Sequence, residues 1–294
     1  MLSILLPAYN QDITDLVNEL HRQATDQFID FEILVIEDGS TLFVDKNASV
    51  AKLKHCKHIV LTENKGRSAI RNRLAATATY DHLLFMDGDA EVCSNHYIEK
   101  YLAFCHEKCV VIGGTAYDPN DQRPEFSLRL KYGRCREARS AAERNKNNFS
   151  TFNFLISKSI FDEIRFDESI RGYGHEDMLF GHELHQSGYD FIQIENPLIH
   201  RGLDDNLTFL KKTKEATRNL YLLYQTGRYP FLLNESRLLR RFRLIDKWRL
   251  TPAFSVLLKL TEKAMTRRLC SHSPSLLLYD VYKLLYICQT KTNK

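Results

Sequence analysis

Four times within the first ninety residues an apolar run stops at acidic or amide side chains, and this recurrence limits the available folds more than any other feature. LSILLPAYN ends on Tyr9 and Asn10, FEILVIEDGS on Glu37 and Asp38, HIVLTENKG on Glu63 and Asn64, and HLLFMDGDA on Asp87 and Asp89. Between the runs lie segments with helical spacing. Ile13, Leu16, Val17 and Leu20 follow the first run with Asp12 placed to cap, and a helix from about Arg67 to Thr79 follows the third. Tyr97, Ile98, Tyr101, Leu102 and Cys105 form an apolar stripe before a fifth run, CVVIGGTAY. Strand and helix in regular succession imply parallel pairing and a doubly wound α/β sheet. In such a sheet the ligand lies beyond the carboxyl ends of the strands. One polar loop there is ordinary turn chemistry; four along the same edge outline a site.

Composition removes several other classes. A chain of 294 residues, 44% apolar and 27% charged, suits one large α/β domain with an appendage, or two small domains. No apolar run approaches the roughly 18–20 residues that cross a bilayer. MLSILLPAYNQD lacks a basic leader and a small-residue cleavage site, so a cytoplasmic setting is expected. The seven cysteines contain no CxxC pair, a pattern of buried thiols in a reducing compartment rather than of disulfides or zinc.

Asp87-Gly88-Asp89 directly follows a buried strand. Two carboxylates one residue apart can offer oxygens to a single hard cation, and a glycine between them lets a phosphate approach closely. A plain Asp-Gly-Asp surface turn is the alternative; the acidic loops beside it favour the cation. Gly66 opens the helix after the third run, so free backbone N–H groups and the positive helix end face the same edge. Arg67 and Arg71 fall one turn apart on that helix, so one guanidinium can meet phosphate oxygens. A basic solvated surface helix is the competing reading.

Taken together, LLPAYNQ, ILVIEDGST, ENKGRSAIRN and LLFMDGDAE resemble, in order and spacing, the family 2 glycosyltransferases of the GT-A nucleotide-diphospho-sugar transferase fold. The resemblance covers roughly residues 1–202 and does not specify a sugar. It implies that Pro7, Tyr9 and Asn10 line the nucleotide pocket, that Asp38 holds the base and that Glu37 stands where a second acid is usual. It implies further that Asn64, Lys65, Gly66, Arg71 and Asn72 surround the nucleotide and its diphosphate. Asp87, Gly88 and Asp89 correspond to the family's DxD metal motif, for Mg2+ or Mn2+.

In the second half, GYGHEDMLFGHELHQSG places Gly172 and Gly174 ahead of Glu176 and Asp177 at the start of a helix that runs to about Gln186 and stops at Gly188. A helix N-terminus favours ionised acids. The segment is similar to the family's ED motif, in the wording of chondroitin-polymerase-like and polypeptide GalNAc-transferase-like members. That resemblance implies an acid that deprotonates the acceptor hydroxyl for a single inverting displacement. Asp177 is taken as the base and Glu176 as a sugar contact, with the two roles open to exchange and a simple capping pair as the other reading. His200, closing NPLIHRG, matches a third metal ligand of the family, although a histidine after an apolar run is commonly a core residue. His182 and His185 lack the HExxH spacing of zinc proteases and are expected on a solvated or packing face.

The expected organisation is therefore a catalytic domain over 1–202, with a nucleotide-sugar half (1–113) and an acceptor half (114–202), and a basic helical extension over 203–294. Residues 114–149, polar and rich in Arg and Asn, read as a long loop and helix over the active site that orders when donor binds. The last 60 residues carry a formal charge of +9 against −5 for the rest. Leu238, Leu239, Phe242, Ile245 and Trp248 share one helical arc with Arg240, Arg243 and Lys247 away from it. Such a basic amphipathic end can lie on an anionic membrane surface or pack against protein, and both readings stand. The expected partners are a nucleotide-diphospho-sugar donor, UDP-linked by the resemblance, and a glycan or lipid-linked glycan acceptor. A nucleotidyltransferase would show a glycine-rich loop after the first strand where this chain has PAYNQD, and two acidic motifs argue against a non-catalytic binding module. The acidic first part and the lack of a known module speak against nucleic acid.

Overall fold

The structure is a computed structural model that describes residues 1–106, 108–144, 149–170 and 172–293. Its elements in chain order begin with β1 (Leu2–Ala8), α1 (Thr14–Asp26), β2 (Phe31–Glu37), the single turn α2 (Val44–Asn47), β3 (Cys56–Val60), α3 (Arg67–Thr77) and β4 (His82–Met86). There follow β5 (Ala90–Val92), α4 (Tyr97–Leu102), β6 (Val110–Ile112), β7 (Thr115–Ala116), α5 (Ser127–Tyr132), β8 (Asn153–Ser157), α6 (Lys158–Glu163), α7 (Glu176–Gln186), β9 (Phe191–Gln193) and β10 (Leu198–His200). The rest is helical: α8 (Asn206–Gln225), α9 (Leu232–Glu235), α10 (Arg237–Lys247), α11 (Thr251–Leu269) and α12 (Leu276–Thr292). The chain forms two compact units, one of Met1–Asp118, Arg134–Arg171 and Glu176–Gly202, the other of Pro119–Gly133, Gly172–His175 and Leu203–Lys294.

The first unit is built on a seven-stranded sheet in the order β3-β2-β1-β4-β8-β6-β9. β1 pairs in parallel with β2, Leu2 opposite Phe31, and with β4, while β3 pairs in parallel with β2. Alternate residues of each strand supply different cores: Ile4, Leu6, Ile33, Val35, Leu84 and Met86 on one face, Leu5, Leu34, Ile36, Leu83 and Phe85 on the other. Both faces are covered, which is why these runs are apolar throughout rather than alternating. The doubly wound α/β expectation holds, with one change. NFLIS, which carried no signal beyond five residues, enters as β8 and runs antiparallel to both β4 and β6.

CVVIGGTAY does not continue as one strand. It leaves the main sheet after Ile112, and Thr115–Ala116 joins β5 and β10 in a second sheet ordered β5-β10-β7. Gly113 marks the crossing: a Cβ there would lie 2.2 Å from the Tyr101 hydroxyl and 2.4 Å from Asn153 Nδ2. Asn153 is the buried tie at this point. Its Oδ1 accepts from the Tyr97 and Tyr101 hydroxyls at 2.6 and 2.7 Å, and its Nδ2 donates to the Asn196 and Gly114 carbonyls. A buried amide so fully satisfied fixes where the second sheet starts. Asp12 is not the N-cap expected of it: that position of α1 is Ile13, without a side-chain cap, and Asp12 Oδ1 accepts from the N–H and hydroxyl of Thr14 just inside the helix.

In the second unit α11 and α12 pack on each other and α12 on α8, around Phe209, Leu258, Met265, Tyr279, Tyr282 and Leu285. Asp205 caps α8 by accepting from the N–H groups of Leu207 and Thr208. The apolar arc expected at 238–248 is only partly buried. Leu239 and Phe242 are covered, whereas Trp248 is 73% exposed. Among the described residues no helix is long and apolar enough to cross a membrane. Of the segment expected to form a loop and helix, 119–133 belongs to this unit and contains α5, and residues 145–148 lie outside the described residues.

Candidate active site

The site lies in the first unit, at the carboxyl edge of β1, β2 and β4, because each strand ends where its side chains turn polar. Pro7 is half-buried in the last turn of β1 and Tyr9 is exposed just past it. Asn10 has φ +52 and binds the loop after β2: its Oδ1 accepts from the N–H groups of Thr41 and Leu42 at 2.8 and 2.9 Å. Glu37 is fully buried, with Ser40, Asn47 at 2.7 Å and His58 at 3.2 Å on its carboxylate. Its side chain orders the β2 loop from behind.

Asp38 accepts from the backbone N–H groups of Lys65 and Gly66, at 2.7 and 3.0 Å, and its carbonyl accepts from Asn64 Nδ2 at 3.0 Å. The loops after β2 and β3 are thereby joined. Gly39 permits it: its φ is +71, and a Cβ would fall 2.5 Å from Asn64 N. Lys65 is exposed with its ammonium on Glu63 at 2.9 Å, and Gly66, at φ +92, starts α3. Asn72 faces another way, exchanging hydrogen bonds with the backbone of Phe166 and donating to Glu168.

Arg71 is the buried cation of the site. Only 2% exposed, it donates from Nη2 to Asp87 Oδ1 at 2.6 Å and lies 5.7 Å from the centre of the Phe166 ring. Its Nε is buried without a partner. One turn earlier, Arg67 Nη1 lies 3.5 Å from Glu176 Oε1. One helix face therefore holds Asp87, after β4, with one guanidinium and Glu176, opening α7, with the other. Gly88 has a role besides ligand approach, since a Cβ there would sit 3.0 Å from Ile13 Cγ2 and 3.1 Å from the Pro7 carbonyl.

Asp89 and His200 meet across β5 and β10, with Nε2 3.1 Å from Oδ2. The other Asp89 oxygen, Oδ1, is buried and has no partner. Burial alone would raise this carboxyl; the His200 hydrogen bond and charge, with Arg67, outweigh it and hold Asp89 below the usual carboxylate range. Among the described residues no three His, Cys, Asp or Glu side chains converge as a ready cation cage, because Asp87 is turned to Arg71. The donor set nonetheless suits Mg2+ or Mn2+: a carboxylate with an unpartnered buried oxygen next to an imidazole nitrogen.

At the start of α7, Glu176 is buried with Oε2 unpartnered, and Asp177 accepts from the Met178 N–H at 2.7 Å. Burial, reinforced by the Glu176 charge, pushes the Asp177 carboxyl up to about 6, against the Met178 N–H and the Arg71 and Arg67 charges. A carboxyl so placed can take a proton near neutral pH. His182 and His185 lie apart from this cluster, half-buried and exposed on α7. Sequence reasoning missed Tyr117, whose hydroxyl lies 3.3 Å from His200 Nδ1, and Glu137, which accepts from that hydroxyl. Tyr117 had only its place at the end of an apolar run as a signal, and Glu137 had none.

Comparison with known proteins bears on the fold and the family. Two curated relatives are uncharacterized glycosyltransferases, one of Rickettsia felis, 26% identical over 42% of this chain and 20% of its own length, and one of Rickettsia bellii, 24% identical over 45% and 19%. The chain thus spans about a fifth of the length of those relatives. The mannosyltransferase PcManGT of Pyrobaculum calidifontis, solved with GDP-Man and Mn2+, superposes with a TM-score of 0.56 at 13% identity, over 99% of this chain and 86% of that one. TarS 1–349 of S. aureus in complex with UDP-GlcNAc superposes with a TM-score of 0.52 at 17% identity, over 99% and 90%. These likenesses establish the GT-A fold. The pattern described as Glycosyl transferase family 2 matches residues 3–165, more than half of the sequence, and the chain belongs to that family.

Proposed function

We propose that this chain is a metal-dependent inverting glycosyltransferase that moves a sugar from a nucleotide-diphospho-sugar, UDP-linked, to a glycan or lipid-linked glycan acceptor. The observation that carries the reading is the α3 face: Arg71 on Asp87 and Arg67 on Glu176 bring the donor-side and acceptor-side acids into one charged cluster. In this reading Pro7, Tyr9, Asn10 and Asp38 border the nucleoside, with Glu37 bracing the β2 loop. Asn64, Lys65, Gly66 and Arg71 attend the diphosphate, next to the free N–H groups that open α3. Asp89 and His200, with Asp87 released from Arg71, would hold Mg2+ or Mn2+. When bound there, such a cation would supply positive charge against the departing diphosphate. Asp177 removes the acceptor hydroxyl proton, and Glu176 orients the sugar it attacks, for an inverting displacement.

The test is a panel of UDP-, GDP- and dTDP-sugars scored for Mn2+-dependent rise in melting temperature and for release of nucleoside diphosphate, since a ligand that binds the native state must stabilise it. A donor that stabilises and turns over supports the proposal; no stabilisation by any of them sinks it.

The second unit supports a site of action at the inner membrane face. Trp248, Leu244 and Leu260 are 73%, 61% and 79% exposed, while Arg237, Arg240, Arg241 and Arg243 crowd the exposed side of α10. The acids there are engaged within the unit, Asp246 by Lys291 and Glu262 by Lys214. Exposed apolar side chains, two of them beside α10 arginines that have no acidic partner among the described residues, fit an anionic lipid surface. Sedimentation with phosphatidylglycerol vesicles, but not with phosphatidylcholine ones, is the expected result; no binding to either at low salt refutes it.

A further inference from the structure

We infer that Tyr117 and Glu137 are positioning residues that fix the orientation of the His200 imidazole, with Nδ1 donating to Tyr117, so that Nε2, beside the Asp89 carboxylate, is the nitrogen left to take a cation. The inference rests on the reading of Asp89 and His200 as cation holders. Tyr117, 7% exposed and just past β7, donates its hydroxyl proton to Glu137 Oε2. The same hydroxyl oxygen lies 3.3 Å from His200 Nδ1. The imidazole is wedged between two rings, with centroids 5.7 Å away at Tyr117 and 5.1 Å away at Phe152, which resist its rotation.

The direction of each hydrogen bond follows from what the groups can do. An ionised carboxylate only accepts, so the one hydroxyl proton of Tyr117 goes to Glu137. The lone pairs of that hydroxyl are then what faces Nδ1, and Nδ1 must be the donor. Nε2 lies 3.1 Å from Asp89 Oδ2 and donates to it when no cation is there; with Nδ1 engaged by Tyr117, Nε2 is the nitrogen whose proton a cation can replace. Asp89 Oδ1 is a further buried oxygen without a hydrogen-bond partner among the described residues. A divalent cation beside Nε2 and the Asp89 carboxylate would use both. Outer partners of this kind set the tautomer and basicity of a ligating histidine and typically contribute 10–100-fold in metal affinity.

The test is Mn2+ binding to the full chain, followed by paramagnetic resonance of the free ion, together with 15N spectra of labelled histidine. Tyr117→Phe is expected to weaken Mn2+ binding by roughly 10-fold or more with an unchanged circular dichroism spectrum. Glu137→Leu removes the acceptor that aligns the Tyr117 hydroxyl, so it is expected to lose affinity to a similar degree and to shift the His200 Nδ1 signal. Glu137→Gln keeps an acceptor for the hydroxyl and is expected to stay near wild type. If Tyr117→Phe loses its fold, the Glu137 pair alone decides. Wild-type affinity in both Tyr117→Phe and Glu137→Leu, or an Nε2 proton on wild-type His200 with Mn2+ bound elsewhere, overturns the inference while leaving the cation reading to its own test. Failure of the wild-type chain to bind Mn2+ at all refutes that underlying reading, and the inference with it.

Discussion

Replacing Asp177 by asparagine should make this protein more stable while removing its proposed activity. The carboxyl is pushed up to about 6 from an ordinary value of 3.8. A raised acid binds its proton more tightly in the folded chain, so between those two values the folded state holds more protons and stability falls as pH rises. Above 6 the whole penalty is present; below 3.8 it is gone. Two units correspond to about 3 kcal/mol, and because the residue is only half-buried, solvent screening lowers the expected figure to about 2 kcal/mol. Asparagine keeps the side-chain oxygen that accepts from Met178 N–H and removes the charge beside Glu176. Urea unfolding of both proteins at about pH 7.5, 6 and 4.5 reads the effect. The variant should exceed wild type by about 2 kcal/mol at the highest pH, keep most of that gain at pH 6 and lose about half of it or more at the lowest. A gain that does not vary with pH, or a less stable variant at neutral pH, would refute the reasoning.

Three further outcomes are expected. Because Asp177 must be ionised to accept a proton, kcat/KM should rise about tenfold per pH unit below about 6 and level off above it; a profile flat from pH 5 to 8 would assign the base elsewhere. Asp89→Ala should fold normally, judged by circular dichroism, yet lose Mn2+ dependence and orders of magnitude in sugar-transfer rate, and near-normal turnover would dismiss the metal role. Gly39→Ala forces a side chain into a positive-φ turn and against Asn64 N. It should cost roughly 2–4 kcal/mol in chemical denaturation and weaken UDP binding along with it.

Much of this site was legible because it is built at strand ends. A strand covered on both faces is mostly apolar, so the point where Ala8 gives way to Tyr9, or Met86 to Asp87, is visible in the letters themselves. Spacing also placed Arg67 and Arg71 on one face of α3, and Gly188, at φ +85, ends the α7 segment as its position implied. The partners of those residues were not legible. Arg71 reaches Asp87 16 positions away and Arg67 reaches Glu176 109 positions away, and no local pattern encodes such distances. The same holds for β8, whose place between β4 and β6 is a matter of long-range pairing.

By itself, then, the sequence determined the strand-and-helix alternation and the acidic edge, because covered faces and polar loop ends are written in nearest-neighbour chemistry. Only the tertiary structure decided which charges touch. Asp87 lies with Arg71, Asp89 with His200, and Glu137 reaches His200 through Tyr117. The physical reason is that ion pairs and tautomers depend on distances of about 3 Å between atoms, and these are set when remote segments pack, not when residues follow one another along the chain.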